Sequence, residues 1–201
     1  MTKDEDVVVA QKEIVYDGYF QVERYRLSHR LHKGGMSEQI MREVFERGHA
    51  VAVLPFDPIN DMVVLQEQFR VDAYAAGQNP WLTEIVAGII EDGETNEQVA
   101  MRETKEEAGL EALELWPMVR YLASPGGTSE TVEVFLARVD SPKEEGVFGL
   151  DHENEDIRVF PLPFLDAMTL LKDGKINNSM TLIALQWLAL NHKAVLARWR
   201  P

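Results

Sequence analysis

Glu103, Glu106 and Glu107 stand at i, i+3 and i+4, a spacing that crowds three carboxylates onto one face of an α-helix. Val99, Ala100 and Leu110 fall on that face too, so the glutamates belong to a stripe that is partly apolar and hence partly buried. Exposed like charges repel by only about 0.2–0.5 kcal/mol per pair, whereas carboxylates that lose water are penalised by several kcal/mol per ion. A divalent cation is the natural counter-ion. With no cysteine and no clustered histidine, the ligands are all oxygen, which favours Mg²⁺, with Mn²⁺ as its substitute, over Zn²⁺. The competing interpretation is a solvated acidic helix whose partners are Arg102 and Lys105.

The element that must carry these carboxylates is bounded in the sequence. Thr95 can cap a helix over Asn96 to Ala108, Gln98 three residues on completes a capping box, and Gly109 suits a left-handed C-terminal cap. Up to Asp92 the chain reads as strands: Phe20 to Leu31, Glu38 to Phe45, and a hairpin of Ala50 to Phe56 with Met62 to Phe69 around the turn residues 57–61. Further strands are expected over Met118 to Ala123, Thr131 to Val139 and Ile157 to Phe160, the last after an acidic loop at 151–156. Helices are expected over Phe164 to Lys172 and Ser179 to about Trp199. The class is α+β, a mixed sheet with helices on it.

At 201 residues the chain fits one domain with an appendage. Its net charge of −14 disfavours nucleic acid and anionic membranes, while a small phosphorylated substrate stays open because bound cations reverse the local field. The absence of cysteine suits a reducing compartment, and the acidic N-terminus lacks the pattern of a signal peptide, so a soluble cytoplasmic protein is expected.

Gly88, five residues, Glu94, seven residues, then Arg102-Glu103-Thr104-Lys105-Glu106-Glu107-Ala108-Gly109-Leu110 resembles the box of the Nudix hydrolases, which cleave a nucleoside diphosphate linked to another group. One position departs, Thr104 standing where the family usually has an aliphatic residue. Pro125, sixteen residues after Gly109 within 124–130, resembles a mark of ADP-ribose pyrophosphatases, as do 41–48, 80–82, 153–158 and 183–188. Read alone, the proline segment is an ordinary turn between strands.

The resemblance implies a Nudix fold, a mixed β-sheet core sandwiched by helices (49–201), preceded by an N-terminal antiparallel β region (1–48) exchanged between the subunits of a homodimer. It implies metal ligation by Glu103, Glu107 and Glu155, with Glu106 as a ligand or an orienting group and the Ala87 carbonyl as a further oxygen. Glu153 matches the general base by position, with Glu155 as the alternative. Arg102 holds the preceding loop through Glu94. Arg42, Arg47 and Arg70 match contacts to the nucleotide or its phosphates, Tyr19 an adenine stack, and Glu43, Ile89, Ser124 and Glu130 the pocket lining. The activity so implied is hydrolysis of ADP-ribose to AMP and ribose 5-phosphate. The alternatives are a hydrolase of another nucleotide sugar such as GDP-mannose, or an inactive nucleotide-sensing module.

Overall fold

The computed structural model describes residues 6–150, 152 and 154–200. They divide into two compact units, Met1–His49 with Leu122–Thr131, and Ala50–Tyr121 with Val132–Pro201.

The first unit is an antiparallel sheet of β1 (Val7–Asp17), β2 (Gln21–His29) and β3 (Ile40–Glu46) in chain order. Lys12 pairs with Glu23 at 2.8 Å and Arg24 with Glu43 at 2.7 Å, so opposite charges face each other across neighbouring strands. The segment 122–131 docks on β3, where the Phe45 N–H donates to the Gly127 carbonyl at 2.8 Å. Val7 to Asp17 is a strand that no expectation above bounded. It alternates weakly and is exposed at nearly every position.

The second unit is a mixed sheet in the order β10-β11-β5-β4-β9-β8, formed by β4 (Ala50–Asp57), β5 (Met62–Phe69), β8 (Glu114–Leu122), β9 (Thr131–Arg138), β10 (Gly146–Phe148) and β11 (Ile157–Pro163). β4 runs parallel to β9 and antiparallel to β5, which it meets only at Phe56 and Asp57. Beyond that point the two strands separate, and β6 (Trp81–Glu84) pairs antiparallel with β5 while β7 (Val86–Ile89) pairs antiparallel with β4. Ile85 joins these two arms and delivers Ala87 and Gly88 beneath the glutamate helix.

Every residue of β4 is buried, as a near-continuous apolar strand covered on both faces should be. Val51 and Val53 face α2 (Asn96–Ala108), packing with Val99, Ala100 and Ala108, while Phe56 on the other face meets His192 of α4 (Ser179–Trp199). Helices therefore cover both sides of the sheet. Asn178 caps α4 by accepting from the Thr181 N–H, and Thr181 in turn accepts from the Ile85 N–H at 3.1 Å, tying the helix to the junction of the two arms. No helix among the described residues is long and apolar enough to cross a membrane.

Two expectations need correction. Val71–Ala75 is a short helix, α1, within a stretch read as all strand, and it follows Arg70 directly. β8 begins at Glu114, four residues before Met118, with Pro117 inside it; β8 ends the sheet order, and an edge strand tolerates a residue without an N–H. A further helix, α3 (Phe164–Lys172), matches its expected bounds.

Candidate active site

α2 starts and stops where its local chemistry dictates. Thr95 accepts from the Gln98 N–H, the Gln98 side chain accepts from the Thr95 N–H, and Gly109 closes the helix at φ 66°, in the left-handed region glycine favours. The Phe148 ring of β10 fills the space a Cβ on Gly109 would need. Thr104 is fully buried and its hydroxyl donates to the Ala100 carbonyl at 2.6 Å, so this departure from the box is accommodated inside the helix.

The three glutamates differ in depth. Glu107 is 3% exposed and its Oε2 accepts from the Ala87 N–H at 3.0 Å and from Gln66 Nε2 at 2.9 Å. Glu103 lies over Gly88, where any Cβ would collide with its carboxylate. Glu106 is half-exposed, and Arg102 reaches both neighbours, Glu103 at 2.8 Å and Glu106 at 3.1 Å. The same guanidinium makes a two-pronged contact with Glu94 at 2.9 and 3.0 Å, the arrangement that suits a planar fork on a carboxylate. Arg102 thus serves both the loop before the helix and the carboxylate face.

Burial pushes the Glu103 carboxyl up to about 7, against the opposing charge of Arg102. Burial likewise pushes Glu107 up to about 8, against its bonds to Gln66 and Ala87. Glu155 adds to both shifts, so the charge of the acidic loop lies within electrostatic reach of these two glutamates. Glu155 is held there by its own loop: its Oε2 accepts from the Leu150 N–H at 3.1 Å, and its Cβ packs on Gly149, whose φ is 109°. Glu153 lies outside the described residues.

Each described carboxylate has a protein partner, and among the described residues no group of three or more acidic or histidine side chains stands at metal-holding spacing. The donor set still fits a hard divalent cation. It is all oxygen, it gathers like charges in a poorly solvated place, and the missing Cβ of Gly88 lets the Glu103 carboxylate lie directly against the backbone there.

Among the expected substrate contacts, Arg70 and Ile89 share the second unit with these glutamates. Arg70 donates its Nε to Glu84 at 2.7 Å, while its two terminal nitrogens have no partner among the described residues; Glu84 itself is pushed up by burial, Arg70 opposing. Ile89 is exposed at the end of β7. Tyr19, Arg42, Glu43, Arg47, Ser124 and Glu130 belong to the first unit. There Tyr19, 87% exposed, meets Phe20 edge to face, Arg47 lies over the Phe20 ring and pairs with Glu130 at 3.3 Å. Glu43 is engaged by Arg24, Arg42 is exposed beside it, and the Ser124 carbonyl closes the turn by accepting from Gly127 and Thr128.

The supporting residues Gln66, Glu84, Phe148 and Phe20 escaped the sequence reading. Only Gln66 left a signal, a carboxamide directly after the apolar run 63–65.

The chain is similar to known proteins in sequence and fold. The NUDIX domain model matches residues 46–180. The chain is 48% identical to ADP-ribose pyrophosphatase of Escherichia coli (strain K12) over 194 residues, 96% of this chain and 93% of that one. It is 31% identical to GDP-mannose pyrophosphatase of Pectobacterium atrosepticum over 179 residues, 89% and 91% of the two chains. A crystal structure of an ADP compounds hydrolase superposes with a TM-score of 0.71 over 98% of this chain and 97% of that one at 21% identity, a likeness of fold. Hydrolases built on this domain work with a divalent metal, and the carboxylate helix described above lies within the matched residues: the chain belongs to the NUDIX family of nucleoside diphosphate hydrolases.

Proposed function

We propose that this chain hydrolyses the pyrophosphate bond of ADP-ribose, releasing AMP and ribose 5-phosphate, with Mg²⁺ as its metal and Mn²⁺ as a substitute. The observation that carries the reading is the buried pair Glu103 and Glu107, joined by the charge of Glu155 from a distant stretch of chain. Similarity supports the substrate, being higher to an ADP-ribose pyrophosphatase than to a GDP-mannose pyrophosphatase.

Glu103, Glu107, Glu155 and the Ala87 carbonyl would hold the ion, with Glu106 beside them. When bound, the ion lowers the pKa of water and offsets charge building on the phosphoryl oxygens. Glu153 accepts the proton of the attacking water, whose oxygen bonds to phosphorus as the bridging P–O bond breaks; Glu155 is the alternative base. Arg70, held at its Nε by Glu84, offers its remaining nitrogens to a phosphate, and Ile89 lines the pocket. Tyr19 stacks on the base, and Arg42, Glu43, Arg47, Ser124 and Glu130 bind the nucleotide, in a homodimer whose N-terminal sheets are exchanged. The same reading places the protein in the cytoplasm.

The test is a panel of ADP-ribose, GDP-mannose, NADH and diadenosine polyphosphates with Mg²⁺ and the purified protein. AMP released from ADP-ribose with the highest kcat/KM is the expected result. A higher kcat/KM for GDP-mannose, or no metal-dependent release from any of them, overturns it.

A further inference from the structure

Gln66 is 1% exposed in a strand whose preceding residues are Val63, Val64 and Leu65, a position where an apolar side chain packs at no polar cost. Its Nε2 donates to Glu107 Oε2 at 2.9 Å, and the Ala87 N–H donates to the same oxygen at 3.0 Å. Glu107 Oε1 takes no hydrogen bond among the described residues. The carboxylate is therefore anchored through one oxygen and leaves the other for a ligand.

The second half of the carboxamide argues against a packing role. Among the described residues Gln66 Oε1 is buried without a hydrogen-bond donor, which costs stability, and Leu or Met would fill a similar volume without that cost. What the Gln66 side chain contributes in exchange is its one hydrogen bond among the described residues, to Glu107.

We infer that Gln66 is a positioning residue for metal binding: by holding Glu107 Oε2 it fixes the rotation of the carboxylate and presents Oε1 to a divalent cation. The inference rests on Glu107 being a metal ligand, as proposed above. Partners that orient a ligand through its other atom typically alter metal affinity by about 10–100-fold when removed.

The experiment measures Mn²⁺ binding by isothermal titration, and the melting temperature of each metal-free protein, for the wild type, Gln66→Leu, Gln66→Met, Glu107→Gln and the double variant Gln66→Leu/Glu107→Gln. Gln66→Leu and Gln66→Met should weaken Mn²⁺ binding by about 10–100-fold while melting at or above the wild-type temperature. The double variant should bind no more weakly than Glu107→Gln alone, because the effect passes through that carboxylate. A purely structural Gln66 would lower the melting temperature and leave affinity within about threefold of wild type, well under the change expected of an orienting partner, and that result overturns the inference. If Glu107→Gln binds Mn²⁺ as the wild type does, the reading of Glu107 as a ligand falls instead. Two apolar replacements keep the test decisive should one of them fail to fold.

Discussion

In the second unit all of β4 is buried between two layers of helix, whereas in the first unit β1 leaves Val8, Ile14 and Tyr16 each more than half exposed. The difference bears on function because a carboxylate site needs fixed geometry. Glu103 and Glu107 project from a capped helix whose apolar side is locked into the core by Val99, Ala100 and Ala108. Side chains held by such packing keep their positions to within fractions of an ångström. The first unit instead carries aromatic and charged side chains on a thin sheet, with apolar surface exposed on β1.

If the second unit holds the chemistry, its substitutions should act on turnover. Glu107→Gln should lower kcat/KM by about 10²–10⁴-fold, the equivalent of losing several kcal/mol of charge stabilisation, with the melting temperature preserved. Glu153→Gln should cost a comparable factor, about 10²–10⁴-fold in kcat, as the loss of a positioned base does. Steady-state kinetics on ADP-ribose decide both, and a Glu153→Gln rate within a few-fold of wild type would remove that residue from its role. Next in size is the core beneath the site. Phe135 of β9 is fully buried in the cluster that α2 packs on, and Phe135→Ala should cost about 3–5 kcal/mol in chemical denaturation.

The parts of this arrangement that rest on neighbouring residues were legible in the sequence. Thr95, Gln98 and Gly109 bound α2 through contacts three or four residues long, and the structure caps it there. The supports of the site were not legible, because each depends on a partner brought close only by the fold. Gln66 and Glu107 are 41 positions apart, and nothing in either segment announces the other. The position of β8 at the sheet edge, which admits Pro117, is likewise a property of the whole topology. Val71–Ala75 became a helix in a stretch of strands because β5 ends at Phe69 and the chain must turn back to pair Trp81 with that residue.

The buried carboxyls also give the second unit a distinctive response to pH. Glu103 and Glu107 have folded-state pKa values of about 7 and about 8, raised from 4.5. The folded protein therefore holds protons that the unfolded chain has released. That contribution to stability is complete below pH 4.5 and is lost as pH rises through about 7 and about 8. Metal-free protein in urea should accordingly lose stability over this interval. Saturating Mg²⁺ should reverse the trend, since binding requires the deprotonated ligands and releases their protons. Glu107→Gln should flatten both curves.

Substitutions in the first unit should act on substrate affinity instead. Tyr19→Ala should raise KM for ADP-ribose through the loss of about 1–3 kcal/mol of base stacking, with kcat little changed. A fall in kcat without a change in KM would break the division of labour between the units. The smallest effect belongs to β1. Ile14 is 53% exposed, so Ile14→Ala should change the stability of the isolated chain by no more than about 0.5 kcal/mol, the ordinary range for surface positions. If a second copy covers this strand, as the exchanged dimer requires, the same substitution should weaken dimerisation measurably in sedimentation equilibrium while leaving unfolding in dilute protein unchanged. Unaltered self-association would leave β1 an exposed edge, whose charged residues Lys12 and Glu13 then serve to discourage unwanted strand pairing.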